Sequence, residues 1–263
     1  MPIPIYQVDA FTAKPYRGNP AAVCLLDRAA DAAWMQGVAA EMNLSETAFI
    51  FPEGDGYRLR WFTPKSEVRL CGHATLATAH VLFREKGAPQ DKPINFYTLS
   101  GLLTAGLRDG MIELDFPASP VVACEAPPGL VEALGVRPVF VGRGEDDYLV
   151  EVAGEQEVRD AAPDFARLVK TPCRGVILTA LSASGEYDFV SRFFAPAIGV
   201  AEDPVTGSAH CRLVPYWQGK LKKDEFTAYQ ASARGGFLKV AARGGRVGIR
   251  GHAVTVFAGD LLA

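Results

Sequence analysis

The sequence lacks an excess of positive charge, a long apolar run and a paired cysteine pattern. Its 27 Lys and Arg residues are outnumbered by 30 Asp and Glu residues, so it offers no basic surface for nucleic acid. The apolar runs are too short to span a membrane, and the N-terminus does not resemble a secretory signal. The five cysteines are an odd number without a CxxC pair, which favours free thiols over disulfides or a zinc site. We therefore expect a cytoplasmic protein that binds neither nucleic acid nor membrane.

What is present is an ordinary globular balance with one unusual helix. The 263 residues are 49% hydrophobic and 22% charged, enough for one large domain or two of ordinary size. From Cys71 to Phe83 the chain carries no acidic or basic side chain apart from two histidines. A helix that is apolar nearly all round is enclosed by other elements. This pattern predicts a helix over residues 72–84 at the centre of a wrapped sheet.

The second half of the chain repeats motifs of the first half in the same order. The matching segments are 60–64 with 192–196, 72–74 with 207–209, and 101–103 with 236–238. The two members of each pair are separated by nearly the same number of residues, which is close to half of the chain length. Strand patterns shared by all β-rich proteins are the alternative explanation, but three ordered matches favour an ancestral duplication. The Pro- and Gly-rich stretch 117–129 is then the boundary between two lobes.

Each half contains a turn of small residues that leads into a helix. The turns are Cys71-Gly72-His73 and the segment 203–208, and the second helix is expected to kink or end near Val214 because Pro215 follows. Helix N-termini offer unpaired N–H groups and partial positive charge, so two related termini facing one cleft could hold a carboxylate. Either turn alone would be explained as ordinary helix capping.

Single residues near these turns have structural explanations as well. Glu46 alone is a loop glutamate, and Asp203 is a carboxylate stabilising a helix start. His73 alone is a partly buried histidine, and Cys71 is a small core residue. Only their arrangement together suggests chemistry.

Six segments in sequence order resemble the PhzF-like family, which is named for a phenazine-biosynthesis isomerase. That family shares its fold with diaminopimelate epimerase. The segments are 18–23, 43–49, 71–77, 202–211, 232–236 and 251–256. They are distributed over nearly the whole chain.

The resemblance implies an α+β fold of two pseudo-symmetric lobes, each a mixed sheet or barrel wrapped round a central helix. The N-terminal lobe is expected at residues 1–117, with the last strand, at about 252–263, returning to it. The C-terminal lobe is expected at 118–251. The resemblance also implies a homodimer.

The resemblance further implies a cofactor-free and metal-free isomerase that moves a proton on a small carboxylate-bearing substrate. Glu46 matches the catalytic glutamate that carries the proton between two carbons, while His73 and Asp203 match further catalytic residues. The matches for substrate binding are Gly72 and Gly207, as backbone donors to the carboxylate, with Ser208 and Asn19.

Cys71 leaves an alternative open. The phenazine-pathway branch has no cysteine at this position, whereas diaminopimelate epimerase uses a cysteine in a similar turn together with a second cysteine. The turn from Asp203 to Gly207 offers no thiol, and Cys211 lies about one helical turn beyond Ser208. Three interpretations therefore remain: a PhzF-like isomerase, a Cys71-assisted amino-acid epimerase or racemase, and a non-catalytic carboxylate-binding protein.

Overall fold

A computed structural model describes residues 2–262. The chain forms two compact units: one holds the chain up to Phe116 together with the segment from Ile249 onward, and the other is Pro117–Gly248. Each unit is α+β, with a mixed sheet and few helices, as the sequence predicts. All five cysteines are free. None of the helices within residues 2–262 combines the length and apolarity needed to cross a membrane.

The first unit is a mixed sheet packed round one central helix. Its strands are β1 (Ile3–Ala10), β2 (Asn19–Leu25), β3 (Glu46–Glu53), β4 (Gly56–Phe62), β5 (Glu67–Val68), β6 (Ile94–Thr98), β7 (Gly101–Arg108), β8 (Met111–Pro117) and β18 (Ala253–Leu261). Its helices are α1 (Ala32–Met42) and α2 (Gly72–His80), the latter continuing as a π-helix over Val81–Glu85. Antiparallel pairs are β18–β1, β1–β2, β3–β4 and β6–β7, while β2–β3 and β4–β6 are parallel.

The second unit repeats this order of pairing. Its strands are β9 (Val122–Ala123), β10 (Pro138–Arg143), β11 (Asp147–Val152), β12 (Gly175–Leu181), β13 (Phe189–Ala195), β14 (Val200–Asp203), β15 (Glu225–Gln230), β16 (Gly236–Ala242) and β17 (Arg246–Gly251). Its helices are α3 (Leu130–Leu134), α4 (Glu155–Asp160), α5 (Phe165–Leu168) and α6 (Gly207–Leu221), with a 3₁₀ turn at Pro196–Ile198. Antiparallel β10–β11, β12–β13 and β15–β16 alternate with parallel β11–β12 and β13–β15, as in the first unit.

One ion-pair motif recurs in both units. Arg60 on β4 donates through Nε and Nη2 to both carboxylate oxygens of Glu67 on β5, at 2.7 and 2.8 Å. Arg192 on β13 holds both oxygens of Glu202 on β14 in the same way, at 2.7 and 2.9 Å. Each guanidinium also lies over the phenylalanine two residues along its own strand, at 5.1 and 4.8 Å from the ring centre. The repeated motif fixes the short strand that leads into each central helix.

The apolar helix of the first unit is enclosed, as its sequence predicts. Every residue of α2 after Gly72 is buried, and α2 packs against β1, β2, β3, β7 and β18. The predicted span of 72–84 is nearly right, but the last turn is a π-helix in which the Lys86 N–H donates to the Val81 carbonyl at 3.1 Å. π-turns of this kind often occur close to functional sites.

Of the two outcomes expected at Pro215, a kink or an end of the second helix near Val214, the end is wrong. Helix α6 continues through Pro215 to Leu221. A proline inside a helix leaves the carbonyl four residues earlier without its donor. Here that carbonyl belongs to Cys211, and it accepts the N–H of Ser119 at 2.9 Å. A donor from outside the helix replaces the missing bond, so the helix does not have to stop.

Candidate active site

The first unit brings five of the predicted site residues together at the start of α2. Asn19 and Glu46 are the first residues of β2 and β3, which run parallel and pair at Ala21 and Glu46. Parallel neighbours begin at the same edge of a sheet, so both side chains lie at that edge. Helix α2 packs against both strands, with Cys71 as its N-cap residue, followed by Gly72 and His73.

His73 is the centre of this group. Its Nε2 lies 3.1 Å from Glu46 Oε2, and its Nδ1 lies 3.2 Å from Asn19 Nδ2 and 3.5 Å from Cys71 Sγ. The imidazole is 5% exposed and the Glu46 side chain 18% exposed. The Asn19 amide carries both a donor and an acceptor, so one of its ends can partner Nδ1 in either charge state of the ring. The arrangement places a carboxylate and an imidazole in contact in a nearly dry environment.

Electrostatics set the charge states of this group. Burial alone would lower the pKa of His73, but the neighbouring Cys71 sulfur and Glu46 carboxylate raise it well above its ordinary value. Burial and the negative charge of Glu46 raise the pKa of Cys71 to about 11. At neutral pH Cys71 is therefore a thiol.

The same three side chains have the donor types of a metal site. Glu46, Cys71 and His73 offer an oxygen, a sulfur and a nitrogen, all within 4.8 Å of one another, and zinc takes such ligands. Glu46 Oε2 contacts the His73 Nε2 atom, whereas Cys71 Sγ contacts the Nδ1 atom. One ion could bind only one of these two nitrogens, so contacts through both of them fit a group of directly contacting side chains better than a chelate.

The second unit brings Asp203, Gly207 and Ser208 together at the start of α6. Asp203 ends β14, Thr206 is the N-cap residue, and Gly207 and Ser208 open the helix. The Thr206 hydroxyl donates to Asp203 Oδ2 at 2.5 Å. The buried amide of Gln230 accepts the Thr206 N–H at 2.9 Å and donates to the Asp203 carbonyl at 2.8 Å. These bonds fix the turn and engage one oxygen of Asp203 within it.

Ser208 has a partner that sequence reasoning missed. Arg174 Nη2 donates to Ser208 Oγ at 3.1 Å. The same guanidinium holds the carboxylate of Asp147 through Nε and Nη2, at 2.8 and 2.5 Å. Asp147 is fully buried, and Arg212 Nη1 approaches it at 3.2 Å as a second cation. No sequence motif pointed to this group, because Arg174 and Asp147 lie outside the segments that resemble a known family.

Comparisons with known proteins identify the family of this chain. The pattern of the phenazine biosynthesis-like protein family (PhzC-PhzF) matches residues 8–259. An uncharacterized isomerase of Halalkalibacterium halodurans is 56% identical over 263 residues, covering 100% of this chain and 99% of that protein. The crystal structure of an Enterococcus faecalis protein of the PhzF family superposes with a TM-score of 0.95 at 42% identity, covering 100% of both chains.

A more distant structure shares the fold. It is a hydroxyproline epimerase from Agrobacterium vitis, with a TM-score of 0.65 at 13% identity, covering 99% of this chain and 91% of that one. At that identity the likeness concerns the fold alone. With a family match that spans almost the entire sequence, this chain belongs to the PhzF family of phenazine biosynthesis-like proteins.

Proposed function

We propose that this protein is a cofactor-independent isomerase that moves a proton between carbons of a small carboxylate-bearing substrate, with Glu46 as the acid–base group. The observation that carries the proposal is the contact between Glu46 Oε2 and His73 Nε2 at 3.1 Å, at the start of a buried helix. The isomerase names of the relatives support the same reaction class.

In this mechanism His73 positions Glu46 and does not itself transfer a proton to or from the substrate. Its Nε2 lies 3.1 Å from Oε2, so the other carboxylate oxygen takes the proton from one substrate carbon and returns it to another. Positioned acid–base catalysis of this kind contributes about 10²–10⁴-fold. The N–H groups at the start of α2, from Gly72 onward, and the positive end of its dipole favour the negative charge that develops on the substrate.

The test is deuterium incorporation from D₂O into a panel of small amino and hydroxy carboxylates, including a dihydro-hydroxyanthranilate, followed by proton NMR. Wild type is expected to exchange a carbon-bound proton of its substrate, and Glu46→Gln is expected to lose at least about 10²-fold of the rate. Glu53→Gln is the matched control, because Glu53 ends the same strand and pairs with Arg58 at the surface.

A Cys71-assisted epimerase is the second candidate, favoured by the 3.5 Å contact between Cys71 Sγ and His73 Nδ1. The raised pKa of Cys71, about 11, weighs against a thiolate base at neutral pH. Exchange that survives in Glu46→Gln and is lost in Cys71→Ser would establish this alternative. Tight carboxylate binding without exchange on any compound would instead favour a binding protein.

A further inference from the structure

The shared topology of the units assigns a counterpart to each residue of the first site. Aligning the helix starts, Gly72 with Gly207, matches Cys71 with Thr206 and His73 with Ser208. Both Cys71 and Thr206 are N-cap residues in extended conformation. Each has its carbonyl held four residues into the helix, by the Thr75 hydroxyl at 2.5 Å and by His210 Nδ1 at 2.8 Å.

The starts of the corresponding strands are separated by slightly fewer residues along the chain than the two helix starts are. Asn19 opens β2 and Asp147 opens β11, and both strands run parallel to the next strand of their unit. Glu46 opens β3, and Arg174 directly precedes β12, so both lie at the start of the second strand of their unit. The side chain from this second strand contacts the second helix residue in both units: Glu46 contacts His73, and Arg174 contacts Ser208.

The chemistry at this shared position is reversed between the units. Glu46 is a group that can take a proton, whereas an arginine stays protonated in proteins and can only donate hydrogen bonds. Ser208 Oγ accepts one of those bonds from Arg174. A hydroxyl has a single hydrogen, and an oxygen that already accepts is free to direct that hydrogen to another acceptor.

We propose that Arg174 is a positioning residue that fixes the Ser208 hydroxyl as a hydrogen-bond donor to a ligand carboxylate. The proposal rests on the proposed function in that this carboxylate is taken to belong to the same class of substrate. Asp147 holds the guanidinium in place through two bonds and is itself fully buried. The Arg174 side chain is 32% exposed, so its outer face is open to solvent while its inner face is fixed.

The arrangement also explains why Arg174 can be replaced without leaving a buried charge alone. Arg212 Nη1 lies 3.2 Å from Asp147 Oδ2, and its side chain is 6% exposed. Asp147 therefore keeps a cationic partner when Arg174 is neutralised. A loss of ligand binding in an Arg174 variant can be separated from a loss of folding.

The experiment is a benzoate titration of the full-length protein, followed by the amide NMR shifts of Gly207 and Ser208, with benzamide as the uncharged probe. Arg174→Gln and Ser208→Ala are each expected to weaken benzoate binding at least about tenfold, as for a lost bond to a charged group. The double variant is expected to bind no more weakly than either single variant, because Arg174 acts through Ser208. A merely structural arginine would give additive losses.

Arg143→Gln is the matched control, since Arg143 lies in the same unit and contacts the Pro172 carbonyl at 3.0 Å and the ring of Tyr148. It is expected to leave the benzoate affinity unchanged. If Arg174→Gln lowers the thermal midpoint, Arg174→Lys is the second variant. A lysine keeps the charge but cannot bond Asp147 and Ser208 at once as the planar guanidinium does, so this variant is also expected to weaken benzoate binding.

Three results would overturn the proposal. They are additive losses in the double variant, unchanged affinity in the folded Arg174 variants, and no benzoate-induced shift of Gly207 or Ser208 in wild type up to the solubility limit. None of these depends on proton transfer, because benzoate binding is followed by amide shifts and involves no exchange of a carbon-bound proton. Loss of deuterium exchange with intact Arg174-dependent binding would reject the isomerase function and leave this inference standing.

Discussion

The start of α2 and the start of α6 are built alike but carry opposite chemistry. At α2 a carboxylate from the neighbouring strand faces a histidine, with Glu46 Oε2 3.1 Å from His73 Nε2. At α6 a guanidinium from the residue just before the corresponding strand faces a serine, with Arg174 Nη2 3.1 Å from Ser208 Oγ. The parallel strand pair and the Arg–Glu clamp are kept in both units, because strand order and buried packing depend on them. The two units therefore share their strand order and this ion pair, while the polar groups at their helix starts differ.

Charge distinguishes the two helix starts further, at residues that are equally buried. In the first unit the group beside the helix start is the neutral amide of Asn19, whose Nδ2 lies 3.2 Å from His73 Nδ1. In the second unit the corresponding group is an ionised carboxylate, Asp147, that is completely enclosed between two arginines. A buried charge is costly unless its partners stay in place. The stability of the second unit should therefore be more sensitive to substitutions that change the charge at its helix start.

The largest expected effect tests this difference through stability. Asp147→Asn removes the charge that compensates Arg212, whose side chain is nearly completely buried, and breaking such a buried pair costs about 3–5 kcal/mol. Urea unfolding followed by tryptophan fluorescence measures the loss. The exposed pair of Glu53 and Arg58 is the control, and Glu53→Gln is expected to cost no more than about 1 kcal/mol. Equal losses in the two variants would contradict the contrast between the units.

The second effect is a pH dependence that differs between the histidines of the two helices. Burial lowers the pKa of His210 to about 4, so it stays neutral in the folded state. In the unfolded chain this histidine takes up its proton near the ordinary pKa of 6.5. The stability that neutral His210 contributes to the folded state is therefore complete above pH 6.5 and is lost as the pH falls towards 4. The total is on the order of 3 kcal/mol. His73 has the opposite sign, because its pKa is raised and its contribution is lost as the pH rises.

Urea unfolding at pH 7, 6 and 5 checks this assignment. Wild type is expected to lose stability over this range, and His210→Gln is expected to give a flatter profile, since an amide can still donate to the Thr206 carbonyl without titrating. His252→Gln is the matched control at an exposed histidine and should keep the wild-type slope. A slope that stays unchanged in His210→Gln would show that another group is responsible.

The third effect tests whether the thiol of the first unit does chemistry. Cys71→Thr gives the first helix the N-cap residue of the second, where Thr206 stands. If Glu46 carries the proton, deuterium exchange is expected to stay within about tenfold of wild type, because Cys71 is a thiol at neutral pH. Cys24→Thr, at another buried cysteine of the same unit, controls for packing losses. A complete loss of exchange in Cys71→Thr alone would move the chemistry to the thiol.

Much of the first site could be predicted because its signals are local. The uncharged run from Cys71 to Phe83 shows by itself that α2 is enclosed. Glu46 and His73 belong to motifs long enough to be recognised, and the fold brings them into contact. The match between the helix starts at Gly72 and Gly207 likewise needs only the sequence.

The Arg174 network could not be predicted in the same way. The chain between Arg174 and Ser208 is longer than the chain between Glu46 and His73, although both connect the second strand of the site to its helix. A single offset therefore aligns the helices and misaligns the strands. Arg174 and Asp147 also lie outside the recognised motifs, and their roles depend on contacts across strands that only the folded chain shows.

The smallest expected effect concerns Pro215, the position where sequence reasoning went wrong. A proline in a helix interior normally costs about 3 kcal/mol, partly through the hydrogen bond it removes. In α6 the Cys211 carbonyl already accepts the Ser119 N–H at 2.9 Å, so Pro215→Ala would add a donor whose acceptor is engaged. We therefore expect Pro215→Ala to change the free energy of unfolding by less than about 1 kcal/mol, well below that helix penalty. A gain near that full penalty in urea unfolding would mean that the Ser119 contact does not compensate, and that α6 tolerates Pro215 only because the surrounding sheet holds the helix in place.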